Sequence, residues 1–93
     1  MNMRQQNRIS KLDSLPADQH TDVNERLHKL QNGLCYVCQE VVNLQVHETD
    51  IDHIVALAMG GRDDESNWAL THSACNRSKG TRDLQLQRIL CGF

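Results

Sequence analysis

The sequence predicts a small α+β domain with a ββα unit at its centre and flanking helices. Three observations predict it. "DVNERLHKLQNG" has helical apolar spacing and closes on a glycine, "IDHIVAL" and "WALT" are β-rich runs on either side of a Gly-Gly loop, and "CNRSK" and "RDLQLQRIL" return to helical character.

Residues 1–18 are polar, with Ile9, Leu12 and Leu15 at three-residue spacing before Pro16, which suits a short amphipathic helix or a frayed arm. A helix from Asp22 to Asn32 follows. Asp22 with Glu25 three residues on makes a capping-box start, Val23, Leu27 and Leu30 make the apolar face, and Gly33 ends it. After "CYVC", the alternating Val42, Leu44 and Val46 read as one strand and "IDHIVAL" as the next. "AMGGRDDESN" is a loop, "WALT" a short strand, and Ser73 or Thr71 starts a helix through "CNRSK" that ends at Gly80. Thr81 caps the last helix. The expected organisation is an N-terminal arm or short helix over 1–21 and one domain over 22–93, with its core at 35–80. No internal repeat or low-complexity segment interrupts it.

A chain of 93 residues buries about 60 to 65% of its unfolded surface. Tyr36, Trp68 and Phe93 are its only aromatic residues, so the core is thin and another staple is expected. Cysteines stand at 35, 38, 75 and 91, and the first residues hold no apolar run resembling a signal peptide or a membrane span. A reducing cytoplasm is the simplest setting, and there a C-x-x-C pair is more readily a metal site than a disulfide.

Tetrahedral zinc takes four soft or borderline ligands arriving as two close pairs. Cys35 with Cys38 is one pair, and His72 with Cys75 in "HSAC" is the other at the same spacing. Zinc held there would staple the helix end at Gly33 to the start of the "CNRSK" helix. His47 is a competing histidine ligand, and Cys91 lacks a partner pair.

Asp52, His53, Asn67 and Asn76 form a second group that zinc does not need. Asp is a hard oxygen ligand for Mg²⁺ or Mn²⁺, and Asn adds a neutral oxygen. Histidine, with an unperturbed pKa near 6.5, is suited to take a proton from water, so cleavage should fall on acidification as that base protonates. The set specifies metal-assisted hydrolysis. The net charge of −2 is unevenly spread, with acids at Glu48, Asp50 and Asp52 and again at Asp63, Asp64 and Glu65, and cations at Arg77, Lys79, Arg82 and Arg88. Cations for phosphates beside carboxylates for an ion suit a phosphodiester site, although each run also has the plain reading of a solvated face.

The pattern "DHI...GG.....N....H..CN..KG" resembles the HNH endonucleases, the ββα-metal or His-Me finger family, in its zinc-binding subset. The resemblance runs from Cys35 to about Gly80. It implies His53 as general base, Asp52 and Asn76 as ligands of the catalytic Mg²⁺ or Mn²⁺, and Asn67 as the middle asparagine that holds the loop and the imidazole. It also implies DNA as substrate, cleaved to 5′-phosphate and 3′-hydroxyl ends, with Arg77, Lys79 and Arg82 near the phosphates. Two departures stand out: such members commonly bind zinc through four cysteines, where this chain has His72, and many carry Pro where it has Ala56.

Adjacent residues on a regular strand point to opposite faces, so Asp52 and His53 serve one site only if the strand bends or ends there. Asp50, two residues back, reads as a supporting group, an extra ligand or a solvated acid. The rival to a nuclease is a catalytically silent zinc-stapled module that binds DNA or protein; a redox switch at Cys35 and Cys38 is weaker, given the His-Cys partner pair. No long basic recognition element is evident, and selectivity is expected from a homodimer or a larger partner protein.

Overall fold

A computed structural model describes residues 10–80 and 82–92. The expectations placed on Ile9, Thr81 and Phe93 lie outside the described residues. The described residues begin with a turn at residues 11–14 and continue into α1 (Ala17–Leu30), β1 (Thr49–His53), β2 (Trp68–His72), α2 (Ser73–Ser78) and α3 (Leu84–Leu90). Short 3₁₀ turns at Leu57–Met59 and Glu65–Asn67 lie in the loop between the strands.

Helix α1 begins five residues before the expected Asp22. Pro16, at φ −61°, is its N-cap, and Asp18 lies in the first turn, where a carboxylate complements the helix dipole. The capping-box pattern at Asp22 and Glu25 therefore falls inside the helix. Val23 and Leu27, four residues apart, face the core, but Leu30 is 76% exposed and does not complete that face. The helix ends as its closing glycine predicts: Gly33, at φ +74°, donates its N–H to the His28 carbonyl at 2.8 Å.

The expected strand over Val42, Leu44 and Val46 does not form. Asn43 converts the segment into a turn, its Oδ1 accepting the Gln45 N–H while its carbonyl accepts those of Val46 and His47. Val42 is buried and Val46 is 74% exposed, so the alternation reflects no common face. The preceding Cys turn is pinned by a Leu34–Val41 bridge and by Val42 N–H to Gly33 O at 2.7 Å.

Strands β1 and β2 pair antiparallel, with Thr49 opposite His72 and His53 opposite Trp68. The "IDHIVAL" run stops as strand at His53. Beyond it Ile54 donates to the Asn67 carbonyl, and the Asn67 side chain takes over the pairing of Val55. Helix α3 is capped by Asp83, its Oδ1 accepting the Leu86 N–H at 2.9 Å. Likewise His72 is the N-cap of α2, with Ser73 as first helical residue.

The core gathers Leu12, Val23, Leu27, Cys35, Val37, Val42, Trp68, Ala69, Leu70 and Leu84. Leu12 places the opening turn against this core. The outer edge of β2 is covered by the Gln31 side chain, whose Oε1 accepts the Leu70 N–H at 2.8 Å and whose Nε2 donates to the Leu70 carbonyl at 3.0 Å. Gln31→Ala leaves the N–H of a fully buried residue without its partner and should destabilise the fold by about 1 to 3 kcal/mol. Denaturant unfolding measures this, and a loss under a few tenths would contradict it.

Candidate active site

The Cys turn and the start of α2 face each other across β2. Cys35, Cys38, His72 and Cys75 offer ligand atoms that all lie within 4.8 Å of one another. Cys38 Sγ and Cys75 Sγ are 3.5 Å and 3.9 Å from His72 Nδ1. His72 Nε2 lies 3.0 Å from the Val41 carbonyl, which can only accept, so the ring proton sits on Nε2 and Nδ1 is left to bind a cation. The competing His47 stands edge-on to His72 at 5.0 Å between ring centres, and its Nδ1 accepts the Asn43 N–H.

The three thiols are unequal. Burial pushes Cys35 up, but amides of Cys38, His72 and Val37 aimed at its sulfur outweigh burial and bring it below its ordinary 9.0. Burial raises Cys38, and burial together with Cys35 and Cys38 pushes Cys75 up to about 12. Without a cation the cluster cannot hold three thiolates together, so filling it releases protons. The donor set and spacing are those of a tetrahedral structural metal site.

A second group lies at the far end of the strand pair. Asp52 and His53 end β1, and the carboxylate of Asp52 curls back so that Oδ1 accepts the His53 backbone N–H at 2.8 Å. That turn of the side chain, with the strand ending at the next residue, brings two neighbours expected on opposite faces into one pocket. Asp52 Oδ1 is 3.8 Å from His53 Nδ1. Asp52 Oδ2 is 2.9 Å from Lys79 Nζ and 3.4 Å from Asn76 Nδ2, both carried by the α2 end. An open cavity of about 310 Å³ is lined by Asp52, His53, Lys79, Arg82 and Asp83, with Ser10 and Asp13 from the opening turn.

Asn67 is buried, and all its side-chain bonds go to backbone: Oδ1 accepts Val55 N–H at 3.0 Å, and Nδ2 donates to the carbonyls of Val55 and Arg62 at 2.9 Å. It ties the two ends of the loop together. Gly61 permits this, since a Cβ there would stand 2.0 Å from the Val55 carbonyl oxygen and 2.8 Å from Asn67 Nδ2. The polar partner of the His53 ring is Asp63, with Oδ1 3.1 Å from Nε2, and Trp68 packs edge-on against it with centroids 6.4 Å apart.

Of the expected phosphate-contacting cations, Lys79 and Arg82 line the pocket. Arg82 is tethered by Nε to Gln87 Oε1 at 2.8 Å. Arg77 lies elsewhere, beside His47, Glu48 and His72 at the Cys/His end. Asp50 does not line the pocket; its carbonyl accepts the Thr71 hydroxyl. Asp63 and Asp83 were not singled out by spacing: they belong to a run of acids and to a helix start, and nothing local marks Asp63 as the partner of His53 or Asp83 as lining the pocket.

The acids of the loop are all held below their ordinary values. The Lys11 amide and then His53 lower Asp63, the Ser66 and Arg62 side chains lower Asp64, and the Arg26 guanidinium lowers Glu65 through bonds of 2.8 and 2.9 Å. Depressed carboxylates stabilise the fold above their unfolded pKa values, and that contribution is lost as pH falls through the folded ones. A carboxyl-detected NMR titration should give midpoints below 3.8 for Asp63 and Asp64 and below 4.5 for Glu65. Midpoints at or above those values would contradict the contacts.

Among the described residues no helix is long and apolar enough to cross a membrane. Comparison with curated proteins gives no match. Among solved structures, the chain is similar to part of the crystal structure of the Type II-C Cas9 enzyme from Actinomyces naeslundii, with a TM-score of 0.60 and 25% identity. The likeness covers 92% of this chain and 8% of that one, so the chain spans a small fraction of the enzyme it matches. The HNH endonuclease family model matches residues 35–82, which take in the Cys/His cluster, the Asp52–His53 strand end, the loop and α2. With that match over half its length, the chain belongs to the HNH endonuclease family.

Proposed function

We propose that the chain is a metal-dependent endonuclease that hydrolyses phosphodiester bonds in DNA, with zinc as a structural ion at Cys35, Cys38, His72 and Cys75. The observation that carries this is the convergence of Asp52, His53 and Lys79 on one open pocket at the end of β1, with the Asn76 side chain 3.4 Å from Asp52 Oδ2.

The pocket fits a divalent cation. Lys79 Nζ, at 2.9 Å from Asp52 Oδ2, is itself a positive charge drawn to that carboxylate, and the Asn76 amide, whose Nδ2 lies 3.4 Å from the same oxygen, carries a neutral oxygen that rotation of the side chain would supply to an ion. Asp52 and Asn76 would hold Mg²⁺ or Mn²⁺, which when bound supplies charge stabilisation to the scissile phosphate and the leaving oxygen. His53, only 11% exposed at its side chain, keeps Nε2 toward Asp63, which leaves Nδ1 outside that bond and 3.8 Å from Asp52 Oδ1. There Nδ1 takes a proton from the attacking water, the water oxygen bonds to phosphorus, the bond to the 3′ oxygen breaks and that oxygen takes a proton from solvent, leaving 5′-phosphate and 3′-hydroxyl ends. Asn67 holds the loop under the imidazole, and Lys79 and Arg82 face the phosphates. Arg77 would contact DNA only if the duplex extended toward the Cys/His end. The similarity to a small part of a larger enzyme supports the reading that target choice comes from a dimer or a larger partner.

The test is binding of Mn²⁺ to the zinc-loaded chain, followed by paramagnetic broadening of its NMR spectrum. Signals of Asp52, His53 and Asn76 should broaden first, and Asp52→Ala should abolish the effect. Broadening that ignores Asp52, or begins at another acidic cluster, would count against the site.

A further inference from the structure

The carboxylate that holds the His53 imidazole is itself held from outside the family-matched segment. Asp63 Oδ1 lies 3.1 Å from His53 Nε2, and the other oxygen, Oδ2, accepts the backbone N–H of Lys11 at 2.9 Å. Lys11 sits in a turn closed by Ser14 N–H to Ser10 O and by bonds between Ser10 Oγ and Asp13. The next residue, Leu12, is 5% exposed in the core and fixes where that turn lies. A backbone N–H can only donate and an ionised carboxylate can only accept, so Asp63 accepts at both ends and Nε2 must carry the ring proton.

We propose that the turn at residues 10–14 is a working part of the active centre. Its Lys11 amide fixes Asp63, and Asp63 is a positioning residue that holds His53 in the tautomer with Nε2 protonated and Nδ1 bare. The catalytic consequence rests on the reading of His53 as general base; the tautomer does not.

The double acceptance makes an unusual demand of the isosteric variant. In Asp63→Asn the single side-chain oxygen is claimed by the Lys11 N–H, which leaves the NH₂ group facing His53. Nε2 must then accept, the ring proton moves to Nδ1, and the base is blocked by a change that alters neither shape nor size. Asp63→Ala frees both partners to water and should do less harm than Asn, the reverse of the usual order for a conservative substitution.

The experiment uses the full chain, zinc-loaded and labelled with ¹⁵N-histidine, at pH 8, with the His53 ring nitrogens identified by difference from His53→Ala. The wild type should show protonated Nε2 and bare Nδ1, and Asp63→Asn should invert them. In plasmid cleavage, Asp63→Asn should lower kcat by about 10²- to 10⁴-fold with KM unchanged. A wild type protonated on Nδ1, or an Asn variant with the wild-type tautomer, would overturn the proposal. If Asp63→Asn does not fold, Asp63→Ala must show a mixture of tautomers, and an unchanged Nε2–H signal would overturn it equally. Inversion of the tautomer in a chain that cleaves nothing would leave this inference standing and remove the nuclease reading; cleavage with an unmoved tautomer would do the opposite.

Discussion

Chelating the metal from Cys35, Cys38, His72 and Cys75 should unfold the zinc-loaded chain rather than loosen it. A domain of this size is stable by about 5 to 14 kcal/mol, taking about 0.05 to 0.15 kcal/mol per residue. Structural zinc binds with about 10 to 16 kcal/mol, a range that starts within that margin and ends above it. The ligands also join segments distant in sequence. Cys35 and Cys38 lie on the turn after α1, while His72 and Cys75 lie at the junction of β2 and α2. Cys35 is fully buried within the core, so the metal site is continuous with the apolar packing. Cys35→Ser should reproduce the effect of chelation. Circular dichroism should show loss of cooperative thermal unfolding in both cases, and a metal-free chain that keeps its melting temperature within a few degrees would refute this account of the fold.

His53→Ala should lower the single-turnover cleavage rate by about 10²- to 10⁴-fold while leaving the fold intact. The ring contacts Trp68 edge-on and Asp63 through Nε2, but its side chain borders an open pocket and is not a member of the core cluster. Substrate affinity should change little, because the phosphate-facing cations Lys79 and Arg82 remain. A variant that is folded and zinc-bound yet cleaves within threefold of the wild-type rate would remove His53 from the reaction.

The Cys/His cluster was legible because both ligand pairs are local in sequence and chemically distinctive, so spacing paired Cys35 with Cys38 and His72 with Cys75 and left only His47 as a rival. Helix existence was legible too, from apolar period and a closing glycine. What failed was decided by competition between local signals. Asp22 and Glu25 imitate a helix start, but Pro16 fixes the backbone earlier. Val42, Leu44 and Val46 imitate a strand, but the Asn43 side chain bonds its own backbone and makes a turn. The convergence of Asp52 and His53 was legible only as a requirement that the strand end there. The acid run shows the limit most clearly: Asp63 turns to His53, Asp64 caps the Ser66 turn and Glu65 pairs with Arg26. Three adjacent carboxylates have three different partners, at separations of 10, 2 and 39 residues, and no periodicity could sort them. The same holds for Lys11 and Gln31, whose contacts are made across 52 and 39 residues.

The decisive measurement is conversion of supercoiled plasmid by the zinc-loaded chain, with and without added Mg²⁺ or Mn²⁺, beside His53→Ala at equal concentration. Nicked or linear product that requires both the added ion and His53 is the predicted result, and it would establish hydrolysis at the Asp52–His53 pocket. A folded, zinc-bound chain that leaves plasmid intact under these conditions, or one whose cleavage survives His53→Ala, would contradict it and favour a silent binding module built on the same fold.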